Sequence, residues 1–291
     1  MNALPESFRN LTVIGAGTMG HGIAHVSALA GFQTRLFDVD EAGLSRGMGH
    51  VRANLDKGVS RGKITEEAAQ GALSRLHATS DLAAACDGAD LVIEAVPERL
   101  AVKRAVFADA AQHAPATTIF GTNTSSLSIA DISREMPHPD RVIGLHFFNP
   151  VHIMKLLEII VSEQTSEETF QIAEAYGAAI GKQTIKVRDV PGFATSRLGL
   201  VIGLEAIRMV EQGVASAEDI DRAMTLGYGF PMGPLRLTDL VGLDVRLHIA
   251  EYLSKHLPDG AHFAPPPLLR AMVADGKLGK KSGQGFYTWE S

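Results

Sequence analysis

The sequence predicts an α/β fold: a doubly wound sheet of alternating strands and helices, then a second, mostly α-helical domain. Three observations carry this. Short apolar runs alternate with helical patterns through the first two-thirds of the chain. One of them, Leu11–Ile14, passes straight into a glycine-rich turn. Beyond about residue 188 helical periodicity continues with no good strand.

The glycine-rich turn is Gly15-Ala-Gly17-Thr18-Met19-Gly20, followed by a small-residue helical pattern to Ala30, with Gly31 as its stop. Gly15 suits the tight turn, Gly17 lets backbone approach a pyrophosphate, and Gly20 lets the new helix pack closely on the strand. The helix N-terminus then offers free N–H groups and partial positive charge to phosphates. Thr18 and Met19 complete the turn and count with the glycines as cofactor contacts. A second strand, Thr34–Phe37, ends in Asp38, at about the twenty-residue spacing of a ribose-binding acid. No Arg follows it, so this Rossmann-type half is expected to take NAD rather than NADP. The competing reading is that Asp38 or Asp40 only caps the next helix.

From Glu41 to about Leu82 the chain reads as polar and helix-rich, and it contains Lys57, Arg61 and Lys63. Ala89–Val96 reads as a buried strand ended by Pro97, and 98–112 as a helix. Thr118–Asn123 is a strand end, with Ser125 and Ser126 placed to cap a short helix. Arg141–Phe148 is a strand ended by Asn149-Pro150. Lys155–Val161 follows, then a helix over Ser166–Ile180 and a strand at Thr184–Val187.

The boundary is placed after residue 188, giving domains 1–188 and 189–291. In the second, Leu198, Leu204, Ile207, Met209 and Val210 are expected to form an apolar helix face, and Ala261–Pro267 a loop.

Composition narrows the function classes. The 291 residues are 45% hydrophobic and 21% charged, with a formal net charge of −6 and no long basic run, so neither nucleic acid nor an acidic membrane is an expected partner. No apolar stretch is long enough to span a bilayer, and the N-terminus resembles neither a signal nor a transit peptide. Cys86 is the single cysteine, which excludes an intrachain disulfide and fits a cytoplasmic location.

Ligands of open α/β sheets bind beyond the carboxyl ends of the strands. The polar residues just after strand ends are Glu94, Glu98, Asn123, Ser125, His146 and Asn149, with Glu158 inside the next strand. A hydride-transfer enzyme that oxidises an alcohol needs a base near neutral pKa, and His146 is the best placed of eleven histidines. Glu158 is a candidate partner, although a single histidine at a strand end is more often structural. His21 and His25 stand at i, i+4 without a third metal ligand in sequence, which favours packing over a metal site.

Taken together the motifs resemble the 3-hydroxyacyl-CoA dehydrogenase family, especially its short bacterial members. The match runs end to end. It takes in Gly15–Ala24, Glu94-Ala-Val-Pro-Glu98 with Lys103, Thr122–Leu127, His146-Phe-Phe-Asn-Pro150 and Glu158. It continues through Pro191-Gly-Phe193, Glu218–Asp221, Pro231-Met-Gly-Pro234 and Gly283–Tyr287.

The resemblance implies NAD-dependent oxidation of (S)-3-hydroxyacyl-CoA. His146 would be the catalytic base, Glu158 its orienting partner, Ser125 a hydrogen-bond donor to the reacting oxygen, and Asn149 a support. Glu98, Lys103 and Asn123 would lie along the nicotinamide and ribose. The helical domain would close over the acyl-CoA and carry a homodimer contact, and Lys57, Arg61 and Lys63 would meet CoA phosphates. The chain departs from the family pattern at Ser196, where Asn is common before the Arg; a hydroxyl offers one donor where the amide offers two. Ser196 is then either a substrate contact or a helix cap. The alternatives are a related dehydrogenase of a free hydroxy acid such as L-gulonate, or a non-catalytic NAD-binding protein.

Overall fold

A computed structural model describes residues 4–290. The chain divides into two compact units, Met1–Asp189 and Val190–Ser291. The first unit runs β1 (Asn10–Ile14), α1 (Gly20–Leu29), β2 (Gln33–Phe37), α2 (Glu41–Ser60), α3 (Glu66–Arg75), β3 (Leu76–Thr79), α4 (Leu82–Cys86), β4 (Leu91–Glu94), α5 (Leu100–His113), β5 (Ile119–Thr122), α6 (Ile129–Ser133), β6 (Val142–Phe147), β7 (Leu156–Val161), α7 (Glu167–Ala179) and β8 (Gln183–Arg188).

These strands form one sheet in the order β3-β2-β1-β4-β5-β6-β7-β8. The first six positions follow the doubly wound dinucleotide-binding order, which puts the crevice at the reversal between β1 and β4. Every pairing is parallel except β6 with β7. Parallel strands covered on both faces read as continuous apolar runs, as Leu-Val-Ile-Glu of β4 and Val-Ile-Gly-Leu-His-Phe of β6 do. Leu11, Leu36, Leu91, Ile93 and Leu145 are fully inaccessible or nearly so and build the core of this unit with Ile23 of α1. Each such side chain stabilises the fold by roughly 1.5–3 kcal/mol through burial.

The stretch 41–82 is helix-rich, as expected, and Leu76-His-Ala-Thr79 adds an edge strand, β3, too short to show a period of two. The short helix α6 is capped not by Ser125 or Ser126 but by Ser128, whose Oγ accepts from Asp131 N at 3.2 Å.

The second unit contains α8 (Thr195–Glu211), α9 (Ala217–Arg222), α10 (Pro234–Val241), α11 (Leu243–His256) and α12 (Pro267–Ala274). Its core joins Leu200, Leu204 and Ile207 of α8 with Leu235, Leu253 and Leu269. Leu198, expected on the buried face, is 62% exposed; Leu200 takes its place. The segment expected to be a loop opens with a 3₁₀ turn over Gly260–Phe263 and closes where Pro267 starts α12.

Candidate active site

The turn after β1 is shaped by contact with backbone. Gly15 has φ +99°, and a Cβ there would lie 3.0 Å from Ala95 O. A Cβ at Gly20 would lie 1.6 Å from Gly15 O, so any side chain there breaks the turn. Gly17, by contrast, faces open space. Thr18 is exposed and Met19 half-buried. Met19 caps α1 without a side-chain hydrogen bond, and the first turn holds no acid. The uncapped helix start beside an unobstructed glycine is what a pyrophosphate requires, and the residues present fit the dinucleotide.

Asp38 and Asp40 divide the two roles weighed for them. Asp40 caps α2, its Oδ1 accepting from Ala42 N at 3.0 Å. Asp38 stands at the end of β2, where its Oδ2 accepts from Ala16 N at 2.7 Å and its Oδ1 from Asp40 N at 3.0 Å. Its carboxylate is thereby fixed against the glycine turn.

A buried ion cluster underlies the ends of β4 and β5. Lys103 Nζ is fully buried and binds Glu94 Oε1 and Oε2 at 2.9 and 3.0 Å, with Glu98 Oε2 at 3.3 Å. Thr122 Oγ1 also donates to Glu94. Glu98 Oε1 in turn accepts from Thr124 Oγ1 at 2.5 Å, Ser125 N at 2.9 Å and Ser125 Oγ at 3.3 Å. Burial alone would raise the Glu98 pKa, but Lys103 and these hydrogen bonds outweigh it and hold the carboxyl below its ordinary range. The Lys103 ammonium is spent on two carboxylates beneath the surface, so it positions Glu98, and through it the Ser125 loop. Thr122 and Thr124 stood inside the Thr122–Leu127 motif, but the sequence reading gave them no role of their own.

His146 and Glu158 meet across the antiparallel pairing of β6 with β7. The β6–β7 register sets His146 directly opposite Glu158, and directly opposed side chains share a face. His146 Nδ1 lies 2.6 Å from Glu158 Oε2, with the glutamate fully buried and the His146 side chain 10% exposed. Asn123 supports the strand, its Oδ1 accepting from Phe147 N at 3.0 Å. Asn149 is exposed.

Family models match nearly the whole chain. That described as 3-hydroxyacyl-CoA dehydrogenase, NAD binding domain, matches residues 10–190, and its C-terminal domain matches 192–289. The chain belongs to the 3-hydroxyacyl-CoA dehydrogenase family. It is 43% identical over 282 residues to a probable 3-hydroxybutyryl-CoA dehydrogenase of Bacillus subtilis, covering 97% of this chain and 98% of that protein. It is 42% identical over 288 residues to a 3-hydroxybutyryl-CoA dehydrogenase of Mycobacterium tuberculosis, covering 98% and 100%. Among solved structures, (S)-3-hydroxybutyryl-CoA dehydrogenase from Ralstonia eutropha superposes with a TM-score of 0.94 at 36% identity, covering 98% of this chain and 100% of that one. This 3-hydroxyacyl-CoA dehydrogenase family member is an NAD-dependent oxidoreductase, and an acyl-CoA substrate fits its family. No helix among the described residues is long and apolar enough to cross a membrane.

Lys57, Arg61 and Lys63 converge on one cavity of about 770 Å³ in the first unit, joined by Lys182, His25 and His152. Lys182, which sequence alone did not single out, donates to Val151 O and, at 2.6 Å, to Met154 O. His25 and His152 stack with ring centroids 5.4 Å apart. Burial, then the neighbouring His152, lowers the His25 pKa to about 4, so the pair is neutral at physiological pH. His21 turns elsewhere, its Nδ1 lying 2.8 Å from Gly17 O.

Ser196 is the second residue of α8, whose cap is Ala194 with no side-chain hydrogen bond.

Proposed function

We propose that this family member oxidises (S)-3-hydroxyacyl-CoA to 3-oxoacyl-CoA with His146 as the proton acceptor. The observation that carries the reading is the His146–Glu158 contact at 2.6 Å. Donation from Nδ1–H to the carboxylate fixes the tautomer whose Nε2 bears the lone pair, and that nitrogen takes the C3 hydroxyl proton. The buried Glu158 charge then stabilises the imidazolium that forms. Bound NAD supplies the hydride acceptor. Ser125, held by Glu98, donates to the reacting oxygen, and Ser196 adds a second donor. Glu98 and Asn123 lie along the nicotinamide ribose, Asp38 binds the adenosine ribose hydroxyls, and Lys57, Arg61, Lys63 and Lys182 meet CoA phosphates. Oxidation of NADH followed at 340 nm with acetoacetyl-CoA tests this. Turnover of a free hydroxy acid such as L-gulonate, and none of the thioester, would overturn it.

Asp38→Ala is expected to weaken NAD binding by about 10–100-fold, the worth of hydrogen bonds to a charged group, and to narrow the gap to NADP by removing charge repulsion. Titration of both cofactors against the variant measures this, and unchanged NAD affinity would remove the assignment.

The second unit exposes Leu198, Leu237, Leu240, Val241 and Val245. We assign this apolar surface to a second copy of the chain, in a cytoplasmic homodimer. Light scattering is expected to give twice the chain mass of 31.0 kDa; a single-chain mass at micromolar concentration would count against the dimer.

A further inference from the structure

The glycine turn after β1 is tethered from two sides. From β2 and its end, Phe37 O accepts from Gly15 N at 2.8 Å, and Asp38 Oδ2 accepts from Ala16 N at 2.7 Å. The other tether comes from α1. Gly17 O accepts from His21 N at 3.1 Å, and His21 Nδ1 lies 2.8 Å from the same oxygen. A carbonyl oxygen can only accept, so Nδ1 carries a proton and donates it. Burial, partly offset by that bond and reinforced by the neighbouring His50, lowers the His21 pKa. The ring is therefore neutral at physiological pH and has one proton to place.

The ring is held from α2, where His50 lies against it with ring centroids 5.1 Å apart and planes inclined by 35°. It is half-buried and takes no part in the apolar core, to which α1 contributes Ile23, Ala24, Val26 and Ala28. Its bond acts on the turn instead. Gly17 O and Thr18 N–H are the two ends of one planar peptide group. Donation to the oxygen polarises that group and makes its N–H a stronger donor. It also fixes the plane, so the N–H keeps its direction. Gly17 and Thr18 are exposed, and a Cβ at Gly17 would meet nothing within 4 Å. This peptide therefore borders open space at a helix start that holds no side-chain cap and no acid in its first turn, where an anion is favoured.

We propose that His21 positions the cofactor, its ring holding the Gly17–Thr18 peptide so that the N–H meets the pyrophosphate of NAD. His21 touches no reacting atom and is a positioning residue. The inference rests on the glycine turn receiving that pyrophosphate.

Three ligands of the free enzyme test this: NADH, ADP-ribose, which keeps the pyrophosphate, and adenosine, which lacks it. The wild type is expected to bind ADP-ribose about tenfold or more tighter than adenosine, as charge-assisted hydrogen bonds to phosphate require. His21→Leu should weaken NADH and ADP-ribose by about 3–10-fold, the worth of one hydrogen bond, and adenosine by under about twofold. In turnover the loss should fall on KM for NADH more than on kcat. His21→Asn should recover most of it, because its amide nitrogen reaches the place of Nδ1. Equal weakening of all three ligands by His21→Leu, or a lower Tm with ADP-ribose affinity kept, would make the ring a packing element and overturn the proposal. So would an Asn variant that binds ADP-ribose no better than the Leu variant. Nitrogen-15 NMR of the wild type needs no variant to fold: the His21 ring is expected to be protonated at Nδ1 and bare at Nε2, and the opposite tautomer would remove the hydrogen bond on which the role depends. A wild type that binds NADH but holds ADP-ribose no tighter than adenosine would sink the pyrophosphate assignment of the turn itself, and the role of His21 with it.

Discussion

His146→Gln is expected to lower kcat by about 10²–10⁴-fold, the range for loss of a positioned proton-transfer group, while NADH affinity changes less than twofold. The amide keeps a polar group at the end of β6 but cannot take a proton at neutral pH. The thioester KM should move little, since the effect belongs to the transition state. Glu158→Gln should reproduce part of this loss: the amide can still accept a hydrogen bond from Nδ1 but carries no charge to stabilise the imidazolium. Steady-state rates at 340 nm with cofactor titrations in parallel separate the two contributions. An undiminished kcat in His146→Gln would remove it as the base.

Lys103→Met is expected to destabilise the first unit by about 3–5 kcal/mol, the cost of leaving a buried ion without its partner. Glu94 is fully buried beneath it, so the methionine strands a carboxylate that water cannot reach. For a unit of this size the loss corresponds to about 6–20 °C in Tm. The double variant Glu94→Gln with Lys103→Met removes both charges and should regain much of the lost stability, because a neutral amide costs far less to bury. Calorimetry of the wild type, both single variants and the double variant closes the cycle. A Lys103→Met protein melting within a degree of the wild type would show that the cluster is dispensable to the fold. The same variant frees Glu98, so Ser125-dependent turnover should fall even in the folded fraction.

The glycine turn, the place of Asp38 at a strand end, and the strands β1, β2, β4, β5 and β6 were legible because each rests on local chemistry. A turn that admits only glycine, an acid at a fixed distance, and an apolar run closed by a polar residue are all visible within a dozen positions. What escaped depends on long-range register. Nothing in the spacing of twelve residues says that β7 runs antiparallel to β6, yet that reversal brings Glu158 to His146. The burial of Lys103 comes from the partners waiting on β4 and in the following loop, which no local pattern reveals. Strand β3 was absorbed into its helical surroundings, since four residues at a sheet edge carry too little pattern.

Because the dyad is written into a backbone register, its geometry and the neighbouring ligand wall can evolve separately. A one-residue deletion inside β7 would send Glu158 to the opposite face of the sheet and abolish the pair. An insertion at the exposed Ile153–Met154 tip between β6 and β7 would instead remodel the rim of the basic cavity, leaving the two strands in step. Lineages built on this scaffold are therefore free to diversify by lengthening that connection, and designers seeking new thioester specificities have in it a graft point insulated from the chemistry.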